Sequence, residues 1–224
     1  MPRAELIIPT VNRDWESVYR EKNTFDYYDM SRSHPDLAGV IKKFHESEIR
    51  KILDIGAGLG GNLFSLHENG FDVRGIDASS IAVMELKELL VAKNINIPVE
   101  QGKFERLPYP DGIFDGAICI QTLSHGIKEN IKNGFGELAR VIRPDGMLFI
   151  TLPGRIAKNK IRYCLVKTAN KIDDRVYIPT KGSEIGIPHY IFNAKLIKMH
   201  LHNFMIEDMW RDYLGYYSVL ARRI

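Results

Sequence analysis

KILDIGAGLGGNLFSLHENGFDVRGIDAS, residues 51–79, is the stretch that decides the fold. The apolar, β-branched run from Lys51 to Ile55 reads as a short buried strand. It meets the glycines Gly56, Gly58, Gly60 and Gly61, and a helix-compatible segment follows as far as Asn69. Gly70 falls just after the last periodic residue, where a left-handed cap needs no Cβ. Val73 to Ile76 then reads as a second buried strand ending on an acid, Asp77. Strand, glycine turn, helix and strand make half of a crossover unit, the building block of an open parallel sheet.

Glycines let a backbone take positive φ and approach a ligand closely, and the helix start behind them offers N–H groups without intrahelical partners. Asp77 lies 19 residues beyond Gly58, at a strand end where a carboxylate reaches a ribose diol. The turn therefore predicts a ligand that contains a nucleoside. Read as Gly56-x-Gly58-x-x-Gly61 it is the dinucleotide fingerprint, a weak signal alone. Read as Asp54-x-Gly56-x-Gly58-x-Gly60 it resembles the first motif of the class I S-adenosylmethionine-dependent methyltransferases. In the second reading Asp54 lies near a methionine amino group, whereas it would repel a pyrophosphate.

Outward from this stretch, 224 residues suit one α/β domain with additions. A chain 45% hydrophobic and 26% charged has the composition of a soluble globular protein. The net charge of +3 falls short of the basic stripe of a dedicated nucleic-acid binder. No apolar run is long enough for a membrane span, and MPRAELIIPT has too short an apolar core for a signal peptide, so a cytoplasmic location is expected. Cys119 and Cys164 are too few for a disulfide framework and lack metal-ligand spacing. Cys119, inside an apolar run, reads as a buried small hydrophobe.

In chain order, Trp15, Val18 and Tyr19 share one face of an amphipathic helix within residues 12–22. SRSHP, residues 31–35, reads as a solvated turn, with Arg32 and His34 facing the cofactor's carboxylate or the substrate as the alternative, and Asp36 is placed to cap a helix through Phe44. Ser79 and Ser80 offer caps for a helix to Lys93. Pro98 to Gln101 is a third strand. After the loop Leu107-Pro108-Tyr109-Pro110-Asp111-Gly112, the apolar run from Phe114 to Ile120 suits a central parallel strand buried on both faces. A ligand would lie at its end, around Gln121 to His125. A helix over 128–142, a turn at Arg143-Pro144-Asp145-Gly146 and a fifth strand from Met147 to Leu152 complete the alternation.

ILDIGAGLGGN, VRGIDAS, LPYPDGIFDGAI and ARVIRPDGMLFIT occur in the order and spacing of the class I methyltransferase core, and the resemblance covers roughly residues 50–152. It implies a Rossmann-like α/β fold: a seven-stranded, mostly parallel sheet with helices on both faces and a terminal antiparallel strand pair. It implies S-adenosyl-L-methionine as cofactor, with Asp54, Gly56, Ala57 and Gly58 at the methionine end, Asp77 on the ribose and Ala78 beside the adenine. Gln121 and Leu123 would line the pocket. The family usually carries an acid after the glycine of the third strand, but here Lys103 follows Gly102, so adenine contacts are expected from the backbone near Phe104 or from Glu105. The helix bearing Trp15 and Tyr19 looks like the family's cofactor lid. The expected organisation is one domain over 1–224: a helical cover (1–48), the cofactor-binding core (50–152), an insertion or substrate lid (153–192), and a final helix with a strand pair (193–224).

The insertion is basic, with eight Lys or Arg between Arg155 and Glu184 against Asp173, Asp174 and Glu184, which reads as a solvated helix face or as attraction for an anionic substrate. Gly186-Ile187-Pro188-His189-Tyr190-Ile191-Phe192-Asn193 is similar to an element that lies over the methyl-transfer end in small methyltransferases, and Asn193 can cap the helix after it. Methyl transfer from a sulfonium is an in-line displacement that depends mainly on positioning. An acceptor that must lose a proton needs a base, for which His189 and His125 are the candidates, with Tyr190 orienting the acceptor. No Asp–Asn pair or His-rich cluster points to a metal, and the Asn-Pro-Pro-aromatic signature of nucleic-acid amino-methylases is absent. The expected acceptor is a small molecule, met through an O or N nucleophile, by a monomer or homodimer. Alternatives are a protein or RNA methyltransferase, an NAD-dependent oxidoreductase using the overlapping glycine pattern, and a non-catalytic cofactor-binding adaptor.

Overall fold

The computed structural model describes residues 13–21, 32–155 and 169–224. Helix α1 (Trp15–Arg20) and helix α2 (Leu37–Glu46) precede strand β1 (Lys51–Ile55), helix α3 (Gly61–Glu68), strand β2 (Asp72–Asp77), helix α4 (Ser80–Ala92) and strand β3 (Val99–Gln101). Strand β4 (Phe114–Cys119), helix α5 (Lys128–Val141) and strand β5 (Ile142–Leu152) continue the alternation. Strands β6 (Ala169–Asp173), β7 (Val176–Pro179) and β8 (His189–Tyr190) follow, then helix α6 (Ala194–His200) and strands β9 (Phe204–Arg211) and β10 (Tyr217–Arg223). Seven strands form one sheet in the order β3-β2-β1-β4-β5-β10-β9, parallel except for β10 and its hairpin partner β9.

Alternate side chains of the central strands feed two cores. Ile52, Ile118, Met147 and Phe149 pack against α2, α3 and α4, while Leu53, Ala117, Cys119, Leu148 and Ile150 pack against α5 and α6. A strand buried on both faces has no polar side to show, which is why these runs are continuously apolar. The strand order reverses between β1 and β4, and a crevice opens there at the carboxyl ends of the strands.

Three local expectations change. Asp36 precedes α2 but takes αR geometry and makes no side-chain cap; its Oδ2 accepts instead from Trp210 Nε1 at 2.8 Å and Ser218 Oγ at 3.0 Å, tying α2 to β9 and β10. Arg143 to Gly146 lies within β5 rather than ahead of it, with the irregularity absorbed by Asp145 at φ +62° and a register shift against β4. The described part of the insertion is not a helix face: β6, β7 and β8 form a small antiparallel sheet, and Lys171 and Arg175 both reach the exposed Asp174 at its hairpin. Cys164 and half of the insertion's eight basic residues lie outside the described residues.

Candidate active site

The crevice is a cavity of about 930 Å³, near the upper end of small-molecule sites. Its floor is the turn after β1. Gly56 sits at φ +78°, and a Cβ there would fall 2.0 Å from Thr122 Oγ1, so the β1 and β4 loops approach as closely as they do only because this residue is glycine. Gly56, Ala57 and Gly58 all line the cavity. Asp77 lines it too, and is held by backbone donors: Gly58 N–H on Oδ2 and Ser79 N–H on Oδ1, both at 2.9 Å. Each carboxylate oxygen has a second lone pair, so this fixed carboxylate can still accept from a ligand diol.

Asp54 stays off the cavity wall. It is 1% exposed beneath the glycine turn, and its Oδ2 has no hydrogen-bond partner. Burial, and then the neighbouring Asp77, push its pKa up to about 8. An unpartnered buried carboxylate oxygen is costly, and a cationic ligand group settling against the turn would relieve it. Once ionised, the same carboxylate would oppose a pyrophosphate. The donor set around this turn therefore fits an ammonium and a ribose, the two polar ends of S-adenosylmethionine nearest the strands.

At the far end of the cofactor crevice the wall is Ala78, Gln101, Lys103, Phe104 and Glu105. Glu105 Oε1 already accepts from Asn130 Nδ2 at 2.9 Å, and Gln101 Nε2 donates to the Ala78 carbonyl at 3.2 Å. Gln121, held at φ +55° with its N–H on Thr151 Oγ1, lines the cavity, as does Thr122. Leu123 does not: it is fully buried in the core, packed toward Gly134 of α5. The turn after Gln121 rotates this apolar side chain inward, a change of direction that spacing alone does not reveal.

Helix α1 crosses the opening. Tyr19 is 3% exposed and packs with Leu59 and Ala82, and burial raises its hydroxyl pKa. Glu16 fastens the helix: Oε2 accepts from Ser79 Oγ at 2.9 Å and Ser80 N–H at 2.8 Å, and Oε1 from Ser80 Oγ at 2.6 Å. Trp15 meets the His125 ring edge-on with centroids 4.6 Å apart. Across the cavity His34, expected on a solvated turn, is buried; its N–H bonds Asn62 Oδ1 at 2.8 Å and its Nε2 lies 3.3 Å from Asp212 Oδ2. Among the described residues, the Lys and Arg on the wall are Arg13, Arg32 and Lys103.

The second end of the cavity is assembled where β8 docks on the loop after β4. Tyr190 N–H donates to the Ser124 carbonyl at 2.7 Å, and a bridge pairs His125 with His189. Their rings are 4.7 Å apart and nearly perpendicular. His125 and Glu184 line the cavity; His189 stands behind them, 2% exposed, with Nε2 2.7 Å from Glu184 Oε2 and Nδ1 2.8 Å from the Ile187 carbonyl. Burial and the neighbouring His189 lower the His125 pKa to about 3, so its ring is neutral. Strand alternation sends Tyr190 the other way: it is buried among Phe192 and His200 and is absent from the wall, so it is not placed to orient an acceptor. Glu184 was legible only as one acid in a basic stretch. An acid five residues ahead of a histidine across a glycine-proline turn was the available signal.

Residues 52–146 match the family model of a methyltransferase domain. The uncharacterised methyltransferase YcgJ of Bacillus subtilis is 28% identical over 134 residues, 59% of this chain and 50% of that protein. The glycine/sarcosine/dimethylglycine N-methyltransferase of Actinopolyspora halophila is 28% identical over 166 residues, 71% of this chain and 26% of that protein. The chain thus spans half or less of the length of these curated relatives. A solved structure of an S-adenosylmethionine-dependent methyltransferase from Methanosarcina mazei superposes with a TM-score of 0.69 at 19% identity, covering 86% of this chain and 99% of that one, a likeness of fold.

Proposed function

We infer that this chain, whose residues 52–146 match a methyltransferase domain and whose fold is like that of an S-adenosylmethionine-dependent methyltransferase, transfers the cofactor's methyl group to an oxygen or nitrogen of a small-molecule acceptor. The observation that carries this reading is the pair of carboxylates around one glycine turn. Asp77 faces the cavity with both oxygens fixed by backbone N–H groups, and Asp54 lies below with an unpartnered oxygen. The cofactor supplies an activated methyl group; the residues of this chain bind, orient and exclude water. Asp54 and Gly56 to Gly58 would receive the methionine end, Asp77 the ribose hydroxyls, and Ala78 and Phe104 the adenine, under the α1 cover with Tyr19.

The remaining volume lies toward Trp15, His125 and Glu184. An acceptor there sits between the methyl group and His125, which is the group placed to contact its nucleophile. Arg13, paired with Glu21, and Arg32 are the arginines that an anionic substituent would meet on the wall. Catalysis on this reading rests on alignment, because a sulfonium carbon is already activated. Calorimetric titration with S-adenosylmethionine and S-adenosylhomocysteine, followed by an acceptor panel read by S-adenosylhomocysteine release, tests it. Saturable binding that Asp77→Ala weakens is expected; ordinary affinity in that variant refutes the assignment of the crevice.

A further inference from the structure

We propose that His125, Glu184 and His189 bind one divalent transition metal ion of the zinc type, with an open coordination position facing the acceptor end of the cavity. The three side chains come from the loop after β4, the loop after β7 and strand β8, and one ligand atom from each lies within 4.8 Å of the others. Two histidines and a carboxylate with a free position form a recurrent donor set for zinc and other first-row ions.

Two observations point to an ion rather than to a simple polar cluster. A neutral imidazole has a single N–H, yet both nitrogens of His189 face oxygens: Nδ1 the Ile187 carbonyl, Nε2 the Glu184 carboxylate. A backbone carbonyl on Nδ1 is the support that fixes a ligating histidine with its Nε2 lone pair toward a metal. In that orientation the Nε2 lone pair faces the Glu184 carboxylate, a pairing that a cation bound by both side chains would satisfy. Second, His125 and His189 stand side by side, nearly perpendicular with centroids 4.7 Å apart, a spacing that two imidazoles on one ion can keep. A third donor beside the pair is what a proton does not need and an ion does.

Any proton held between Glu184 and His189 leaves to solvent as the ion binds. An acceptor carrying a hydroxyl, carboxylate or other oxygen donor would occupy the open position. This part rests on the methyl-transfer reading. The acceptor hydroxyl gives its proton to solvent, its oxygen forms the new bond to the methyl carbon, and the carbon–sulfur bond breaks with its electron pair staying on sulfur, leaving the thioether.

The test is calorimetric titration of the chelator-treated full chain with Zn2+, and Co2+ absorption spectra, both without cofactor. One ion per chain is expected, with visible Co2+ bands of a low-coordinate nitrogen/oxygen site and proton release on binding. Glu184→Gln and His125→Asn should each weaken it on the order of 100-fold, with far-ultraviolet circular dichroism unchanged. Absence of saturable binding by the unaltered chain overturns the proposal, as does binding that neither variant weakens. Cofactor titration of the same samples keeps the two ideas apart: lost cofactor binding with the ion site intact fails the methyl-transfer reading alone, and the converse fails the ion site alone.

Discussion

The two ends of the cavity are built by opposite means. The cofactor end is local: one strand, one glycine turn and the end of the neighbouring strand supply Gly56, Gly58, Asp54 and Asp77, and backbone N–H groups hold Asp77 in place. The end proposed for the acceptor is a convergence of Trp15, His125, Glu184 and His189, single side chains from a helix, two loops and a two-residue strand. A site made of backbone is tied to the core, so changing it alters binding and stability together. A site made of converging side chains should alter turnover while leaving cofactor affinity and fold nearly unchanged.

Asp54→Asn breaks the first half of that contrast most strongly. Loss of a buried charge-assisted contact is worth about 3 kcal/mol, so affinity for S-adenosylmethionine should fall on the order of 100-fold by calorimetry. The pH dependence carries the sign. Asp54 is protonated in the free protein up to about pH 8 and must lose that proton to meet an ammonium. Affinity should therefore rise by about tenfold per unit from pH 6 toward 8 and lie flat in the variant. Stability runs the opposite way. A carboxyl whose folded pKa is raised from 3.8 to about 8 costs stability increasingly as pH rises through that window. The Asn variant should thus melt roughly 5 °C higher than the unaltered chain at pH 8, with the gap closing toward pH 4.

Glu184→Gln sharpens the second half. The carboxylate that faces His189 Nε2 is lost while volume is kept, and turnover should drop by roughly 10- to 100-fold. Cofactor affinity should change less than twofold, because the Glu184 carboxylate bonds His189 of β8. An equal loss in both quantities would show that the two ends are one unit.

The same contrast explains what was legible in the sequence. Five strand–helix alternations and the glycine motif gave the sheet, its crevice, and the placement of Asp77, Ala78, Phe104 and Gln121 on the wall, because strand period and turn chemistry are local properties. The misplaced residues are those whose direction depends on distant packing. Leu123 turns into α5, Tyr190 turns into the core beside Phe192, and Asp36 serves β9 and β10 rather than its own helix. The association of Glu184 with His189 and His125 was invisible for the same reason: it exists only after β8 docks on the loop following β4.

Between the ends lies α1, and Glu16→Ala measures how far they are coupled. Its carboxylate caps the start of α4 and so closes the cover beside Asp77. Because Glu16 is in contact with solvent, the loss should be near 1 kcal/mol, about fivefold in cofactor affinity. Trp15 rides on the same helix against His125, so the Michaelis constant for the acceptor should rise as well. A variant that shifts only the cofactor term would place α1 with the cofactor end alone.

The smallest expected effect is the most discriminating for the acceptor end. Tyr190 was a natural candidate from its place beside His189, yet its ring lies 4.9 Å from Phe192 and 6.0 Å from His200, on the core side of β8. If adjacency on a two-residue strand means opposite faces, Tyr190→Phe should leave turnover within about twofold and shift stability by no more than about 0.5–1.5 kcal/mol, the worth of a hydrogen bond. His189, one position earlier, should be intolerant of change. A large loss of turnover in Tyr190→Phe with an unchanged melting temperature would mean that β8 presents its other face to the acceptor, and would undo the assignment of His125 and His189 together.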